Sequence, residues 1–343
     1  MELTNEPAEP GVSRLARSLA AGHPGRSTIE SFSPRVTIRG CSRRRAQSSS
    51  CRSVQSLLLT GATSAPQVRA VVGDGCDAVV VGDAARSEAG VLLAEVAQRR
   101  TWSSVLLTER LTDPVYVAAT LVGTGVADAE VAGSSRPSGE VIRAGIHVIG
   151  LEPGCGTLSS SFLLRTVAGD SLCFSDCAVV PEPDAPQLAD IAAATAATFA
   201  TPSGETRCVA MLSFSTHGGA DHPAVRVVRE ATKLLRQRLP GLVVDGDLQF
   251  DAAIVESVAA QKAPESEVAG RANTFVFPNL AAANIGHKIA QRMGGATAAG
   301  PILQGLRAPF NDLSHGCSAS NIVEVAVISA RQARRQDAGA AQS

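Results

Sequence analysis

The sequence predicts an α/β protein, a mostly parallel sheet with helices on both faces. Three observations carry this. Short apolar, β-branched runs alternate with segments of helical spacing along most of the chain. Hydrophobic residues make up 45% of the 343, enough for one large core or two ordinary ones. Aromatic residues are only 3%, so the core is built from Ala, Val, Leu and Ile, a mixture suited to buried strands under alanine-rich helices.

The elements follow in order. Residues 1–60 carry no usable pattern: "PRVTIRGCSRRRAQSSSCRSV" (34–54) holds six Arg, two Cys and no acid, and reads as a disordered basic segment, with an anion-binding arm as the other reading. A β-branched run at Ala78–Val81 is stopped by Gly82-Asp83. "SEAGVLLAEVAQRR" (87–100) has helical spacing and arginines at its C-terminal end, where the helix dipole favours cations. Asp113-Pro114 opens the next helix, an acid followed by a proline whose missing N–H costs nothing in a first turn, and "AEVAG" (129–133) is a strand running into glycine. "GEVIRAGIHVIG" (139–150) is another helix. Then come a strand-like stretch at 171–184, a helix at 185–200, an apolar strand at 207–218 that ends in hydroxyls, and a helix at 222–241. "LVVDG" is a strand, 251–263 a helix, 272–280 a strand and 283–295 a helix, and "SNIVEVAVISARQARR" closes the chain as a helix.

Charge and cysteine usage narrow the functional classes. A net charge of −1 offers no field for nucleic acid or membrane surfaces. The eight cysteines form no C-x-x-C pair, so neither a zinc site nor a disulfide framework is expected. No stretch of 18 apolar residues occurs and the first residues are not a secretory signal, which reads as a cytoplasmic protein. The G-x-x-x-x-G-K-[ST] and G-x-S-x-G motifs are missing, and no G-x-G-x-x-G opens a helix after a strand.

Four polar stretches fall where strands end and helices begin, the usual place for ligands in such sheets: "SFSTHGGADHP" (213–223), "DGDLQFDAA" (245–253), "FPNLAAANIGHK" (277–288) and "QGLRAPFNDLSHGCS" (304–318). With their flanks, and with "DPVYVAATLVGTGVADAEVAGSSRPSGEVIRAGIHVIGLEPG" upstream, they closely resemble the phosphate acetyltransferases, in the family's order and spacing over about residues 88–335. The resemblance implies reversible transfer of an acetyl group between acetyl-CoA and phosphate, giving acetyl phosphate and coenzyme A. It implies no metal, no cofactor beyond coenzyme A as substrate, and a homodimer. It also implies two three-layer α/β/α domains of the isocitrate/isopropylmalate dehydrogenase type with a cleft between them. Residues 61–152 with 301–343 would form one domain and 153–300 the other.

The same resemblance assigns roles. Ser314 matches the family's active-site serine, near the thiol. Arg143 matches an arginine that contacts phosphate or the acyl group, and Arg99 or Arg100 lies nearest a second one. Ser213, Ser215 and Thr216 look suited to phosphate or pantetheine. Asn284 and Gly286 fall in a family block, with capping and close packing as the other reading. Asn311 and Asp312 precede the serine motif, and Gly316 sits before the last helix, where free N–H groups favour an anion. Lys262 and Lys288 match family lysines.

Departures are equally specific. His315 stands where the family has arginine, and Asn321 where it has an aspartate regarded as the base. Asn cannot take a proton, whereas a histidine with pKa near ~6.5 can, so His315 is a candidate to take over proton transfer. Ser318 and Asn321 are also spaced as a helix capping box. Asn279 replaces aspartate, His217, Asp221 and Ala308 replace lysines, and Arg136-Pro137 replaces a His-Thr pair. Two other readings stand beside the enzyme: a catalytically weakened acetyl-CoA-binding regulatory module, and a phosphate acyltransferase for a longer group such as butyryl.

Overall fold

The computed structural model describes residues 36–39, 55–60, 76–80, 83, 87–133, 136–203, 206–314 and 317–340. The chain divides into two compact units, Met1–Glu152 with Leu306–Ser343, and Pro153–Gly305. Both are α/β.

In the first unit a five-stranded sheet has the order β11-β4-β1-β2-β3. Its strands are β1 (Val36–Arg39), β2 (Gln55–Thr60), β3 (Cys76–Val80), β4 (Ala129–Ala132) and β11 (Phe310–Asp312). β1 and β2 lie inside the stretch that the sequence leaves unpatterned, because runs of four and six residues, VTIR and QSLLLT, are too short to show a period. Residues 1–35 and 40–54, read as disordered, lie outside the described residues. β1 pairs antiparallel with both β2 and β4, whereas β2–β3 and β4–β11 are parallel, so this sheet is mixed.

Helices α1 (Glu88–Arg99), α2 (Ser104–Thr112), α3 (Pro114–Gly123) and α4 (Ser138–Ala144) follow, the last running into a π turn at Gly145–Ile149. Their starts obey capping chemistry. The Ser87 side chain accepts the Ala89 N–H, and Asp113 accepts Val115 N–H at 3.0 Å with Pro114 in the first turn. α3 is buried at eight of its ten positions, which explains why its sequence is apolar all round. The closing helix α10 (Ala319–Ala340) packs on β4, β1 and β11.

The second unit has a six-stranded sheet, β10-β5-β6-β9-β7-β8. It comprises β5 (Ser159–Arg165), β6 (Ser171–Ser175), β7 (Cys208–Leu212), β8 (Val243–Leu248), β9 (Thr274–Val276) and β10 (Thr297–Gln304). The β6-β9-β7-β8 half is parallel and the β10-β5-β6 half antiparallel. β7 shows why helices cover both faces. Cys208, Ala210 and Leu212 belong to one core cluster with Phe174, Leu248 and Phe275, whereas Val209 and Met211 belong to another with Leu188, Ile191 and Val228. Successive side chains of a strand point to opposite faces, so a strand buried at every position needs two covering layers. α5 (Ala185–Ser203) and α6 (Pro223–Arg238) supply one, and α7 (Phe250–Ile254) and α9 (Leu280–Arg292) contribute to the other. The predicted 251–263 helix is two, α7 and α8 (Glu256–Lys262), because Val255 between them is extended at φ −106, ψ 112. β10 carries this unit through Gln304, whose amide donates to Ser159 at 3.0 Å and Thr195 at 2.8 Å. Among the described residues no helix is long and apolar enough to cross a membrane.

Candidate active site

In the second unit the carboxyl ends of the parallel strands are shaped by two carboxylates. After β7 the chain makes a loop, Ser213–His222, before α6 starts with His222 as cap and Pro223 in the first turn. Asp245 in β8 is 6% exposed and gathers His217 Nε2 at 2.8 Å, Arg236 Nη2 at 2.7 Å, the Ser266 hydroxyl and the Gly246 N–H at 2.9 Å. Burial alone would raise this carboxyl, but the bonds from Ser266, Gly246 and His217 outweigh it and hold the pKa below the usual range. Asp247, two residues on, binds Arg229 Nε at 2.9 Å. Burial again works against ionisation there, and the bonds from Arg229 and Ser215 keep its pKa low. His217 adopts φ 44, a left-handed conformation held by its ring on Asp245 and by its N–H on the Asp247 carbonyl at 3.0 Å. His217 is thus a strut of the loop.

Of the hydroxyls expected to bind substrate here, Ser215 is buried and accepts the Ala220 N–H at 3.1 Å. Thr216 accepts the Gln249 N–H at 3.1 Å. Both shape the loop. Ser213 accepts the Ser215 N–H at 3.2 Å and stands beside Phe214, an aromatic ring 59% exposed. Gln249 also accepts from Lys262 Nζ at 2.9 Å, which reaches Asp251 at 3.0 Å as well. On α9 Asn284 donates to the Cys177 carbonyl at 3.1 Å and accepts from Lys288 Nζ at 3.0 Å. A Cβ on Gly286 would meet Phe277 at 3.0 Å, so this glycine lets the helix close on that ring. Asn279 caps α9 by accepting the Ala282 N–H at 3.0 Å, a task at which Asn and Asp are equals.

In the first unit β11 leads to the serine loop. Asn311 and Asp312 are wholly buried in that strand. The Asn311 amide donates to the Ser329 hydroxyl at 2.7 Å and to Gln332 at 2.9 Å, fastening β11 to α10. Ser314, two residues beyond the strand, is exposed, and its carbonyl accepts the Cys317 N–H at 3.1 Å. Burial pushes the Cys317 thiol up, away from the ionised form a nucleophile needs. His315 and Gly316 lie outside the described residues. The capping box read from the spacing is present in full. Asn321 Oδ1 accepts the Ser318 N–H at 3.3 Å and the Ser318 hydroxyl at 2.9 Å, while Ser318 Oγ accepts the Asn321 N–H at 3.2 Å.

The other part of the first unit is a cationic patch. Arg143 is exposed in the last turn of α4, and Arg99 is exposed at the end of α1. Arg100 donates from Nη2 to the Ile146 carbonyl at 3.1 Å, across to the π turn. Tyr116 on α3 pairs its hydroxyl with His147 Nδ1 at 3.0 Å, and the Arg110 guanidinium lies 4.3 Å over its ring. Burial, then the charges of Arg100, Arg143 and Arg110, lower His147 to about 4. Sequence reasoning passed over Tyr116 and His147. The available signal was His147 lying four residues after Arg143, one turn along the same helical face.

A family profile described as phosphate acetyl/butaryl transferase matches residues 77–330. The chain is 47% identical to the phosphate acetyltransferase of Paracoccus denitrificans over 233 residues, covering 66% of this chain and 73% of that one. It is 44% identical to that of Thermoanaerobacterium thermosaccharolyticum over 231 residues, covering 66% and 70%. A phosphotransacetylase structure from Streptococcus pyogenes superposes with a TM-score of 0.74 at 39% identity, covering 81% of this chain and 85% of that one.

Proposed function

The chain belongs to the phosphate acetyl/butaryl transferase family, and from that premise we propose how its residues divide the work of a phosphate acetyltransferase. The reaction is reversible transfer of an acetyl group between acetyl-CoA and inorganic phosphate. A phosphate oxygen attacks the thioester carbonyl, a C–O bond forms as the C–S bond breaks, and coenzyme A leaves as thiolate. In reverse, the thiol loses a proton before it attacks acetyl phosphate. The observation that carries the reading is the family match over residues 77–330, a range that holds Arg143, the 213–222 loop and the Ser314 motif.

A thiol with pKa near ~8.5 is only a few per cent ionised at neutral pH, so the site must supply a base or positive charge. Ser314 stands exposed at the end of β11, where its hydroxyl can meet the thiol or the developing thiolate. His315 takes the proton, and the Gly316 N–H binds an anionic oxygen. Arg143 meets phosphate or the acyl group with a permanently charged fork. In the second unit Ser213 contacts phosphate or pantetheine, and Ser215 and Thr216 serve by holding the loop that presents it. Asp312 supports the serine loop from its buried place in β11. We place the enzyme in the cytoplasm as a homodimer; sedimentation of the purified protein at about 70 kDa checks the second point (twice 35.2 kDa).

Mixing purified protein with acetyl-CoA, with and without phosphate, tests the whole reading. Thiol release that depends on phosphate and disappears in Ser314→Ala is expected. Acetyl-CoA binding without release would leave a binding module in place of an enzyme. For His315, replacement by arginine is expected to shift the pH profile of thiol release, and an unchanged profile would remove its role in proton transfer.

A further inference from the structure

We propose that Tyr116, His147 and Arg100 are positioning residues that hold the π turn after α4 and so aim Arg143 at its substrate. The inference rests on the reading of Arg143 as a substrate-binding arginine.

α4 spans only Ser138–Ala144, far shorter than a helix that is stable by itself. The direction in which it presents a side chain therefore depends on what grips its two ends. At the first end Arg136 donates to Glu140 at 2.8 Å and lies 3.6 Å from Asp113, the cap of α3. At the other end the helix widens into the π turn, closed by the Gly150 N–H on the Gly145 carbonyl at 3.0 Å. Gly145 is buried, and a Cβ there would meet Leu306 at 3.1 Å, so this turn is packed closely from below. From the side it is held by Arg100 on the Ile146 carbonyl and by the Tyr116–His147 bond.

Tyr116 is a fixed anchor. It is 2% exposed, with Trp102 edge-on at 5.8 Å and the Arg110 guanidinium over its face. Burial pushes its hydroxyl up, so the phenol keeps its proton and stays a neutral partner for His147 Nδ1. At neutral pH His147 is uncharged, as burial and the patch of arginines require. The neutral imidazole adds no positive charge beside Arg143. No hydrogen bond or ion pair engages the Arg143 guanidinium among the described residues, while Arg100 and Arg110 are both committed to protein groups. Of the three arginines whose charges reach His147, Arg143 is thus the one left for a ligand, and Arg100 and Arg110 serve as its support.

Steady-state kinetics of the full chain tests this. Arg143→Ala first defines which substrate's KM depends on that arginine. Tyr116→Phe keeps the ring and removes only the hydroxyl. It is expected to raise the same KM by about threefold to tenfold, the usual range for one net hydrogen bond, and to leave the other substrate's KM within about twofold. The double variant Arg143→Ala/Tyr116→Phe is expected to be no worse than Arg143→Ala alone. His147→Asn repeats the measurement if Tyr116→Phe does not fold. If Arg143→Ala changes neither KM, the reading of Arg143 fails. If it changes one and Tyr116→Phe leaves that one untouched, or if the two effects add in full, the positioning role is overturned with the reading of Arg143 intact.

Discussion

At position 321, where the sequence resemblance implies a base, an amide closes a helix cap. Its oxygen accepts both the N–H and the hydroxyl of Ser318, and a carboxylate would accept the same two bonds. Asn321→Asp is therefore expected to keep the cap and, with negative charge at a helix N-terminus, to gain a few tenths of a kcal/mol in urea unfolding. It is also expected to speed thiol release, because it restores a group that can take a proton. Asn321→Ala is expected to lose about 1 kcal/mol of stability and leave the rate unimproved. A second prediction at this scale concerns acid. His147 titrates near 4 in the folded chain against ~6.5 when unfolded, so between these values the unfolded chain binds the extra proton. Stability from this residue is complete above ~6.5 and lost as pH falls toward 4. Unfolding by urea at pH 7 and pH 5 is expected to show a smaller loss on acidification in His147→Asn than in the parent chain. Of the candidate site, the Ser318–Asn321 cap was legible as a local motif, while Arg143 and Ser314 were singled out by the family resemblance. The roles of Ser215 and Thr216 were not legible, since nothing along the chain marks that their oxygens turn inward to Ala220 and Gln249.

Between elements, Asp245 does for the second unit what the Tyr116 group does for the first. One carboxylate in β8 holds the loop after β7 through His217, α6 through Arg236, and the 264–271 turn through Ser266. Removing it leaves these partners facing a gap. Because the side chains of His217 and Arg236 are 34% and 55% exposed, solvent makes up part of the loss. Asp245→Ala is expected to cost about 2–3 kcal/mol, less than breaking a fully buried pair, measured as a lower urea midpoint. His217→Gln is expected to cost under about 1 kcal/mol. The hub was invisible in sequence because residues 217, 236, 245 and 266 share no spacing. The elements themselves were legible where period and punctuation agree: α1, α3, α5, α6 and α9, and strands β6 to β9. β5 was missed because SSSFLLR opens with three serines, all buried, that read as a loop. β10 was missed because the Gly-Pro inside TAAGPILQ signals a break, and β11 because three residues carry no pattern.

For the whole molecule, chain order and compactness disagree in an instructive way. The first unit is assembled from both ends of the chain, and the second is one unbroken segment, Pro153–Gly305. Both large core clusters described above lie wholly within that segment, as does its six-stranded sheet. The bonds at its ends are also internal. Gln304 is tied to Ser159, Thr195 and Thr198, while the next contacts outward, Leu151 with Leu306 and Arg307 with the Ile149 carbonyl, belong to the first unit. A segment with its own core and its own sheet has what a domain needs to fold alone. Residues 153–305 produced as a separate protein are therefore expected to show α/β circular dichroism and one cooperative urea transition, with a slope of about 1–3 kcal/mol/M. The same protein is expected to release no thiol from acetyl-CoA, because Arg143, Ser314 and His315 are absent from it. A broad, non-cooperative transition would mean that the second core needs the first unit to form. Thiol release from the isolated segment would move the chemistry away from Ser314 and onto the loops around Asp245 and Asp247.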